Sequence, residues 1–223
     1  MIRGVLFDLD GTLIDSTDAI VDSFYYTLDR LGEPRPPRGA IVSSIGHLLE
    51  DQFRIMLPEY DADECARIYR EHYSQVACEM TSLLPGGRDA LETLADAGLR
   101  LGFATSKKRV YAEMILDHLG VLDYFAARIG PDDVQHAKPH PEAVLMAAEQ
   151  LVLSSSEIFF IGDTHFDVEA GHAAGARVLC VTTGYATRDA LEALDAEAVY
   201  DSLEEVTRHI LGAIAPAHTP GDR

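Results

Sequence analysis

The N-terminal segment constrains the fold of this chain most, because a short hydrophobic run ends there at two aspartates separated by one residue. Residues 5–12 read VLFDLDGT. The side chains of a regular strand alternate between its faces, so Asp8 and Asp10 would lie on the same side, and Gly11 lets the backbone turn sharply after them. Strand ends of this kind carry the binding sites of open α/β sheets. We therefore predict a strand over residues 1–8 with a functional site at its carboxyl end.

Two carboxylates held this close repel each other, and the repulsion has to be offset. A divalent cation, a shared proton, or surroundings that keep one acid neutral would each offset it, and each is an arrangement found in catalytic sites. The alternative is an acidic turn in contact with solvent, because Asp-Gly is also a common turn dipeptide. The fragment alone leaves both interpretations open.

A second apolar segment ends in acidic residues in the same way. Residues 158–167 read IFFIGDTHFD, which would place Asp163 at the end of a strand and Asp167 in the first turn of the following helix. A carboxylate in a first helical turn is favoured by the helix dipole. The chain therefore has two candidate strand ends that carry paired acids.

Two further polar positions lie between these acidic segments. The predicted strand over residues 99–105 ends at Thr105 and Ser106, and Lys138 lies in the sequence AKPHP. The four motifs are DxDGT, the strand ending in Thr-Ser, Lys-Pro and GDxxxD, and in this order and spacing they resemble the haloacid dehalogenase superfamily. The resemblance covers nearly the whole chain and points to the phosphoglycolate phosphatase-like branch. All four motifs together are far more specific than a lone DxDGT.

The resemblance implies catalytic roles for the core motifs. Asp8 would be the nucleophile that forms an aspartyl-phosphate, and Asp10 would be the general acid that protonates the leaving alcohol and then activates water. Thr105 would bond a phosphate oxygen, and Lys138 would supply positive charge to Asp8 and to the phosphate. The implied activity is hydrolysis of a small phosphate monoester, phosphoglycolate-like or a sugar phosphate.

The implied cofactor is Mg²⁺, because every candidate ligand is a hard oxygen and no histidine or cysteine cluster competes with it. Asp8, the backbone carbonyl of Asp10 and Asp163 would hold the ion, and Asp167 would fix the groups around it. The carboxylate of Asp10 would then point away from the metal. For Asp167 the alternative is a plain helix-dipole partner.

Other residues are candidate substrate contacts. Substrate-binding roles are assigned to Gly11, Ser106, Gly46 and His47, and further candidates are Lys107, Lys108, Arg54, His136 and His140. Gly46 resembles the glycine in the cap loop of phosphoglycolate phosphatases, and the polar break around it is expected to face the catalytic strand ends. Arg54 is equally consistent with a surface position, and His165 and His172 are interpreted as structural or exposed.

Hydrophobic periodicity divides the chain into two kinds of sequence. Helices and strands alternate from residue 88 to residue 182, which predicts a Rossmann-like parallel α/β sheet with helices on both faces. An all-helical block interrupts this pattern after the first strand, and the resemblance implies that it is a C1-type cap. The predicted domains are a core of residues 1–15 and 82–215, a cap of residues 16–81 and a flexible tail of residues 216–223.

The cap would exclude water from the site and recognise the part of the substrate that does not react. Its hinges are expected near residues 12–16 and 84–87, where Gly86 and Gly87 supply backbone freedom. An ordinary turn is the alternative at these glycines.

The composition fits a soluble enzyme, and the resemblance implies a small phosphorylated metabolite as its partner. A net charge of −19 argues against nucleic acid or an anionic membrane as the partner. No segment has the ~18 uninterrupted apolar residues of a membrane helix, and the chain begins with a strand instead of a signal sequence, so the expected location is cytoplasmic. The three cysteines form no CxxC pair and are expected to be reduced. No long heptad seam is present, so the sequence predicts no particular oligomeric state.

Several alternatives differ at specific residues. A haloacid dehalogenase proper does not need an acid at Asp10, because halide departs without a proton. A phosphonate hydrolase of the superfamily uses a cap lysine, and residues 16–81 contain none. A β-phosphoglucomutase-like phosphosugar mutase, a pyrophosphatase, a nucleotidase and a noncatalytic phosphometabolite-binding module stay open.

Overall fold

Eight short strands form two sheets in the computed structural model, which describes residues 1–214. In chain order they are β1 (Gly4–Phe7), β2 (Ile14–Asp15), β3 (Ser82–Leu83), β4 (Arg100–Ala104), β5 (Phe125–Ile129), β6 (Ile158–Gly162), β7 (Arg177–Val181) and β8 (Ala198–Tyr200). Six of them make one sheet in the order β5-β4-β1-β6-β7-β8, and all of its pairs are parallel. β1 and β6 are buried along their whole length, as expected for strands covered on both faces.

The strand order explains why the site lies where it does. After β1 the large sheet grows outward through β4 and β5, and then from β6 it grows in the opposite direction. β1 therefore lies beside the point where the order reverses. Ligands of open α/β sheets bind at such a switch point, outside the carboxyl ends of the strands.

Ten α-helices accompany the strands. They are α1 (Thr17–Leu31), α2 (Arg38–Val42), α3 (Leu49–Met56), α4 (Ala62–Val76), α5 (Gly87–Asp96), α6 (Arg109–His118), α7 (Glu142–Gln150), α8 (His165–Ala174), α9 (Arg188–Glu192) and α10 (Leu203–Ile214) among the residues described. Local signals account for several ends: α1 stops at Gly32 with φ +77°, and α4 starts at Asp61, whose side chain accepts the backbone N–H of Glu64.

Helices cover both faces of the large sheet, which confirms the predicted fold class. Val5 and Phe7 of β1 face a core that includes the buried residues of α5, α6 and α10. Leu6 faces the other way, into a second core with the alanines of α7 and α8. Because the side chains of a strand alternate between its two faces, the side chains of β1 pack against helices on both sides of the sheet.

The chain between β2 and β3 contains only helices and loops, as the sequence predicted. β2 and β3 pair antiparallel, with Ile14 opposite Leu83, so the entrance and exit of the helical block lie side by side. Inside the block, the ring of Phe24 in α1 lies 4.7 Å from that of Phe53 in α3 and 5.2 Å from that of Tyr69 in α4. This arrangement is consistent with a cap domain.

Three features differ from the sequence-based expectations. α2 begins inside the Pro-rich stretch 32–39 that we expected to break helices, because Pro37 is its N-cap and proline is compatible with the start of a helix. The strand that leaves the helical block is Ser82–Leu83, just before the predicted hinge at 84–87. β8, α9 and α10 lie beyond residue 182, after the last strand that the hydrophobic pattern predicts. The predicted tail of residues 216–223 lies outside the described residues.

Candidate active site

Three neighbouring strands each place one predicted site residue at the same edge of the sheet. Asp8 follows β1, Thr105 follows β4 and Asp163 follows β6, and all three side chains are buried. Parallel neighbours end at the same edge, which is why residues more than 150 positions apart in the sequence meet here. The structure thus brings the predicted core motifs together.

Lys138 lies between two of the acids. Its ammonium nitrogen is 2.9 Å from Oδ1 of Asp8 and donates to Oδ1 of Asp167 at 2.6 Å. The side chains of these three residues are 2%, 9% and 0% exposed, respectively. A buried ammonium is stabilised only by such close counter-charges, so Lys138 cannot be an ordinary surface lysine.

Asp163 is fixed from two sides. Its Oδ1 accepts the hydroxyl of Thr12 at 2.9 Å, and its Oδ2 accepts the backbone N–H of Tyr185 at 2.9 Å. Two glycines pack directly on this carboxylate: a Cβ at Gly184 would lie 1.9 Å from Oδ2, and one at Gly11 would lie 2.6 Å from it. Gly11 also has φ +82°, so both the backbone and the space require glycine.

Asp167 has no free carboxylate oxygen. One oxygen accepts Lys138, and the other accepts the hydroxyl of Thr164 at 2.7 Å and the backbone N–H groups of Thr164 and Asp163 at 3.1 and 3.3 Å. Thr164 and Asp167 form the capping box that starts α8. Asp167 therefore holds Lys138 and the loop that carries Asp163.

The electrostatics of this cluster favour added positive charge. Burial raises the pKa of Asp8 to about 6, with Lys138 opposing the shift and the charges of Asp167 and Asp10 adding to it. Burial, together with the charges of Asp167 and Asp8, raises the pKa of Asp163 well above its usual range. Burial acts to lower the pKa of Lys138, but the charges of Asp167 and Asp8 outweigh it and raise that pKa.

The buried acids of this cluster have the positions and the chemistry of metal ligands. Carboxylate oxygens of Asp8, Asp163 and Asp167 lie within 4.8 Å of one another. These buried acids face Lys138, so the cluster holds more negative than positive charge. Asp167 accepts four hydrogen bonds, whereas Asp163 accepts two and Asp8 is paired with Lys138 alone, so Asp8 and Asp163 are the side chains with oxygen lone pairs available to an ion. Buried, hard oxygen donors with excess negative charge fit a divalent cation such as Mg²⁺.

The carboxylate of Asp10 has a separate set of partners. Its Oδ1 accepts the hydroxyl of Ser16 at 2.5 Å, and its Oδ2 lies 3.1 Å from the ammonium nitrogen of Lys107. That ammonium group also donates to the hydroxyl of Tyr73 at 2.6 Å. Burial and the negative charge of Asp10 raise the pKa of Tyr73 well above its usual range, so the hydroxyl keeps its proton.

A cavity of about 310 Å³ lies between the sheet edge and the helical block. The polar side chains that line it from the sheet side include Asp8, Asp10, Thr105, Ser106, Lys107 and Lys108. The helical block contributes Gly46, His47, Glu50, Gln52, Arg70 and Tyr73. The volume suits a small molecule, and both acids and cations converge on it.

The loop around Gly46 faces the strand ends, as expected. Gly46 has φ +109°, and a Cβ there would lie 3.2 Å from the ring of Phe166 in α8. The ring of His47 also packs edge-on against Phe166, with 4.7 Å between centroids. The loop therefore sits directly on the first turn of the helix that carries Asp167.

Other candidates lie elsewhere. The side chain of Arg54 is 59% exposed, pairs with Asp51 and does not line the cavity. His136 and His140 are exposed and cluster with Glu142 outside the cavity. His165 and His172 are exposed, as interpreted from the sequence.

Sequence reasoning missed several residues of the site. Arg70 lines the cavity and donates to the carboxylate of Glu50 at 2.5 Å, and the hydrogen bond from Arg70 lowers the pKa of Glu50 although burial opposes it. Ser16 and Tyr73 are likewise absent from the sequence-based candidates. The signal for Arg70 and Tyr73 was their helical spacing in α4, because residues three apart share a face.

Comparison with known proteins agrees with this geometry. Residues 5–181 match the haloacid dehalogenase-like hydrolase family. The chain belongs to that family. It is 34% identical to the phosphoglycolate phosphatase of Salmonella paratyphi A, over 92% of this chain and 91% of the relative. The phosphoglycolate phosphatase of Escherichia coli strain K12 is 33% identical over the same shares.

Solved structures of other hydrolases share the architecture. A hydrolase of the haloacid dehalogenase-like family from Streptococcus pneumoniae superposes with a TM-score of 0.86 at 28% identity, covering 94% of this chain and 98% of the neighbour. A hydrolase from Pseudomonas syringae gives a TM-score of 0.83 at 27% identity, covering 97% and 100%. Both neighbours thus match the core together with the helical block.

The family and its relatives establish the class of activity. This haloacid dehalogenase-like hydrolase is a phosphatase that acts on phosphoric monoesters, and its substrate is a small phosphorylated compound. Among the helices of residues 1–214, none has the length and apolar character needed to cross a membrane.

Proposed function

We propose that this phosphatase is Mg²⁺-dependent and hydrolyses a small phosphate monoester through an aspartyl-phosphate on Asp8. The observation that carries the proposal is the buried lysine between two acids: Lys138 lies 2.9 Å from Asp8 and 2.6 Å from Asp167. This contact fixes the Asp8 carboxylate at the floor of the cavity and keeps a positive charge beside it. A carboxylate nucleophile that attacks a phosphate dianion needs such charge compensation.

Asp8, Asp163 and the backbone carbonyl of Asp10 would hold the Mg²⁺ ion. When bound, the ion supplies positive charge that offsets the repulsion between the nucleophile and the phosphate. Thr12 and the backbone of Tyr185 orient Asp163, and Asp167 keeps the loop and Lys138 in place.

Asp10 is the proton donor and acceptor in this proposal. Its carboxylate lines the same cavity as Asp8 and is held by Ser16 and Lys107. In the first step Asp8 attacks phosphorus, the bond to the leaving oxygen breaks, and Asp10 gives that oxygen its proton. In the second step Asp10 takes a proton from water, which attacks phosphorus and releases phosphate from Asp8.

Thr105 and Ser106 line the cavity and bind the phosphoryl oxygens in this assignment. Lys138 does not line the cavity, and it supplies positive charge from its place beside Asp8. The hydroxyl oxygen of Thr105 already accepts the backbone N–H of Lys107 at 3.2 Å, which leaves its proton free to donate to a phosphoryl oxygen. Gly46 and His47 contact the leaving group. Gly11, named from the sequence as a substrate contact, does not line the cavity, so we assign it the packing of Asp163 instead.

Phosphoglycolate is the first substrate to test, because the phosphoglycolate phosphatases are 33–34% identical over most of the chain. A panel of phosphoglycolate, sugar phosphates, nucleotides and pyrophosphate is assayed for phosphate release with Mg²⁺ and with a chelator. We expect one strongly preferred ester, no release without metal, and a phosphoryl adduct on Asp8 in peptides from acid-quenched turnover mixtures. Full activity in the chelator would refute the metal dependence, and an adduct on another residue would refute the role of Asp8. Transfer between sugar hydroxyls without phosphate release would identify a mutase.

A further inference from the structure

We propose that Tyr73 and Lys107 are positioning residues that make the orientation of the Asp10 carboxylate depend on closure of the helical block over the sheet. The inference rests on the proposed role of Asp10 in proton transfer. It concerns residues on opposite sides of the cavity: Lys107 follows β4, and Tyr73 belongs to α4 of the helical block.

Both oxygens of Asp10 are held by side chains. Ser16, which precedes α1, donates to one of them, and Lys107 lies 3.1 Å from the other. A carboxylate that must reach the leaving oxygen of a substrate has to be held within a narrow range of orientations. Lys107 is therefore one of two side chains that set this orientation.

Lys107 in turn is held by the helical block. Its ammonium group donates to the hydroxyl of Tyr73 at 2.6 Å, and only 7% of the side chain is exposed. An isolated lysine has four flexible methylene groups and no fixed geometry for its donors, so it holds a partner in place only when it is itself restrained. The restraint here is Tyr73: its hydroxyl fixes the direction of the ammonium group, and its ring centroid lies 4.7 Å from the ammonium nitrogen.

The ring of Tyr73 packs between α4 of the helical block and α6 of the core, so its hydroxyl position depends on where the block lies. Its ring stacks on Tyr69 of α4 with 5.3 Å between centroids, and it meets Tyr111 of α6 edge-on at 5.6 Å. Its hydroxyl therefore lies at a defined point relative to the sheet only while the block rests on the core. Movement of α4 away from the core removes the hydroxyl from Lys107, and the ammonium group is then free to leave Asp10.

The test compares Tyr73→Phe with Tyr60→Phe. Tyr60 also belongs to the helical block, and its hydroxyl donates to Glu33 at 2.6 Å away from the cavity. For the alkyl phosphate that the wild-type protein hydrolyses fastest, we expect Tyr73→Phe to lower kcat about tenfold, or about 1.4 kcal/mol, with KM changed less than about twofold. Tyr60→Phe should leave both constants within about twofold. A rise in KM alone for Tyr73→Phe would mean that Tyr73 contacts substrate, and would overturn the proposal.

Single-turnover experiments with excess enzyme distinguish a defect in proton transfer from a general loss of active-site structure. The 4-nitrophenolate ion leaves without a proton, so its release from 4-nitrophenyl phosphate should be almost unchanged in Tyr73→Phe, whereas cleavage of the alkyl phosphate should slow about tenfold. Equal slowing of both esters would overturn the proposal. If the wild-type protein released no phosphate, or if Asp10→Asn slowed neither ester, the proposed function itself would fail, whatever Tyr73→Phe did.

A double-mutant cycle tests whether Tyr73 acts through Lys107. Lys107→Met should slow cleavage of the alkyl phosphate at least as much as Tyr73→Phe, and adding Tyr73→Phe to Lys107→Met should have no further effect. Independent side chains would give multiplied losses instead. Multiplied losses would contradict the proposed connection between Tyr73 and Asp10.

Discussion

The floor and the wall of the cavity are held in different ways. We call Asp8 and the three side chains clustered with it the floor: Asp8 lines the cavity, and Lys138, Asp163 and Asp167 are almost completely buried at the sheet edge. The wall is the side of the helical block, where Glu50 and Arg70 are 23% and 20% exposed and pair mainly with each other. A rigid sheet edge can fix reacting groups, whereas short helices on a two-strand connection can move with the substrate. We therefore expect changes in the floor to affect the chemical steps. Changes in the wall should affect which ester is bound, except at Tyr73, which acts on Asp10 through Lys107.

The largest effect is expected at the floor, from Asp8→Asn. The substitution conserves volume and removes the nucleophile, so turnover should fall by at least about 10³-fold, consistent with the loss of a covalent catalyst. The fold should stay intact, which circular dichroism and thermal unfolding can check. Retention of more than a few per cent of the wild-type rate, with deamidation of the new asparagine excluded, would remove Asp8 as the nucleophile.

Asp163→Asn should act on the metal and leave the fold intact. Thr12 and the backbone of Tyr185 can still orient the side chain, but the lost charge should raise the Mg²⁺ concentration needed for half-maximal activity by about 10- to 100-fold. A metal titration measures this concentration directly, and isothermal calorimetry gives the same comparison without substrate. An unchanged titration would exclude Asp163 as a ligand.

The floor should also make stability depend on pH when metal is removed. Because the pKa of Asp8 is raised from 3.8 to about 6, the folded protein binds more protons than the unfolded chain between these values. The free energy of unfolding therefore falls as pH rises through this window. In a chelator we expect Asp8 to make the free energy of unfolding about 1.4 kcal/mol larger at pH 5 than at pH 7.5.

The matched control for this pH effect is Asp8→Asn, which lacks the titrating group. Its pH dependence should be flatter than that of the wild-type protein, although not flat, because the pKa of Asp163 is also raised. Denaturant unfolding across pH 5–8 measures both slopes. Identical slopes for the two proteins would contradict the raised pKa of Asp8.

The floor was largely predictable from the sequence, and the wall was not. Asp8, Thr105 and Asp163 each follow an apolar strand, and parallel strands converge at one edge, so strand assignment alone brings them together. The wall depends on how four helices pack against each other and on the sheet. Arg54 and Arg70 look equally available in the sequence, but only Arg70 lines the cavity.

The same distinction explains why two short elements of the fold, β8 and α9, are not predicted. Between residues 88 and 182 the helical and strand patterns alternate clearly, so the sequence predicts these elements. Their predicted boundaries lie within about two residues of those observed. β8 has only three residues, all half-buried, and α9 has five, so neither carries a clear period. Contacts such as Lys107 with Tyr73 join residues that no local pattern connects.

The smallest effect, and the sharpest test of the wall, is expected from a pair of arginine variants. Arg70 and Arg54 both lie in the helical block and both donate to a nearby acid at 2.5 Å, but Arg70 faces the cavity and Arg54 faces solvent. Arg70→Gln removes a positive charge from the cavity wall and should raise KM for the preferred ester about three- to tenfold, with kcat changed less. Arg54→Gln should leave both constants within about twofold, since an exposed pair of this kind contributes little. Equal effects of the two variants, or a loss confined to kcat for Arg70→Gln, would show that the wall does not select the ester independently of the floor.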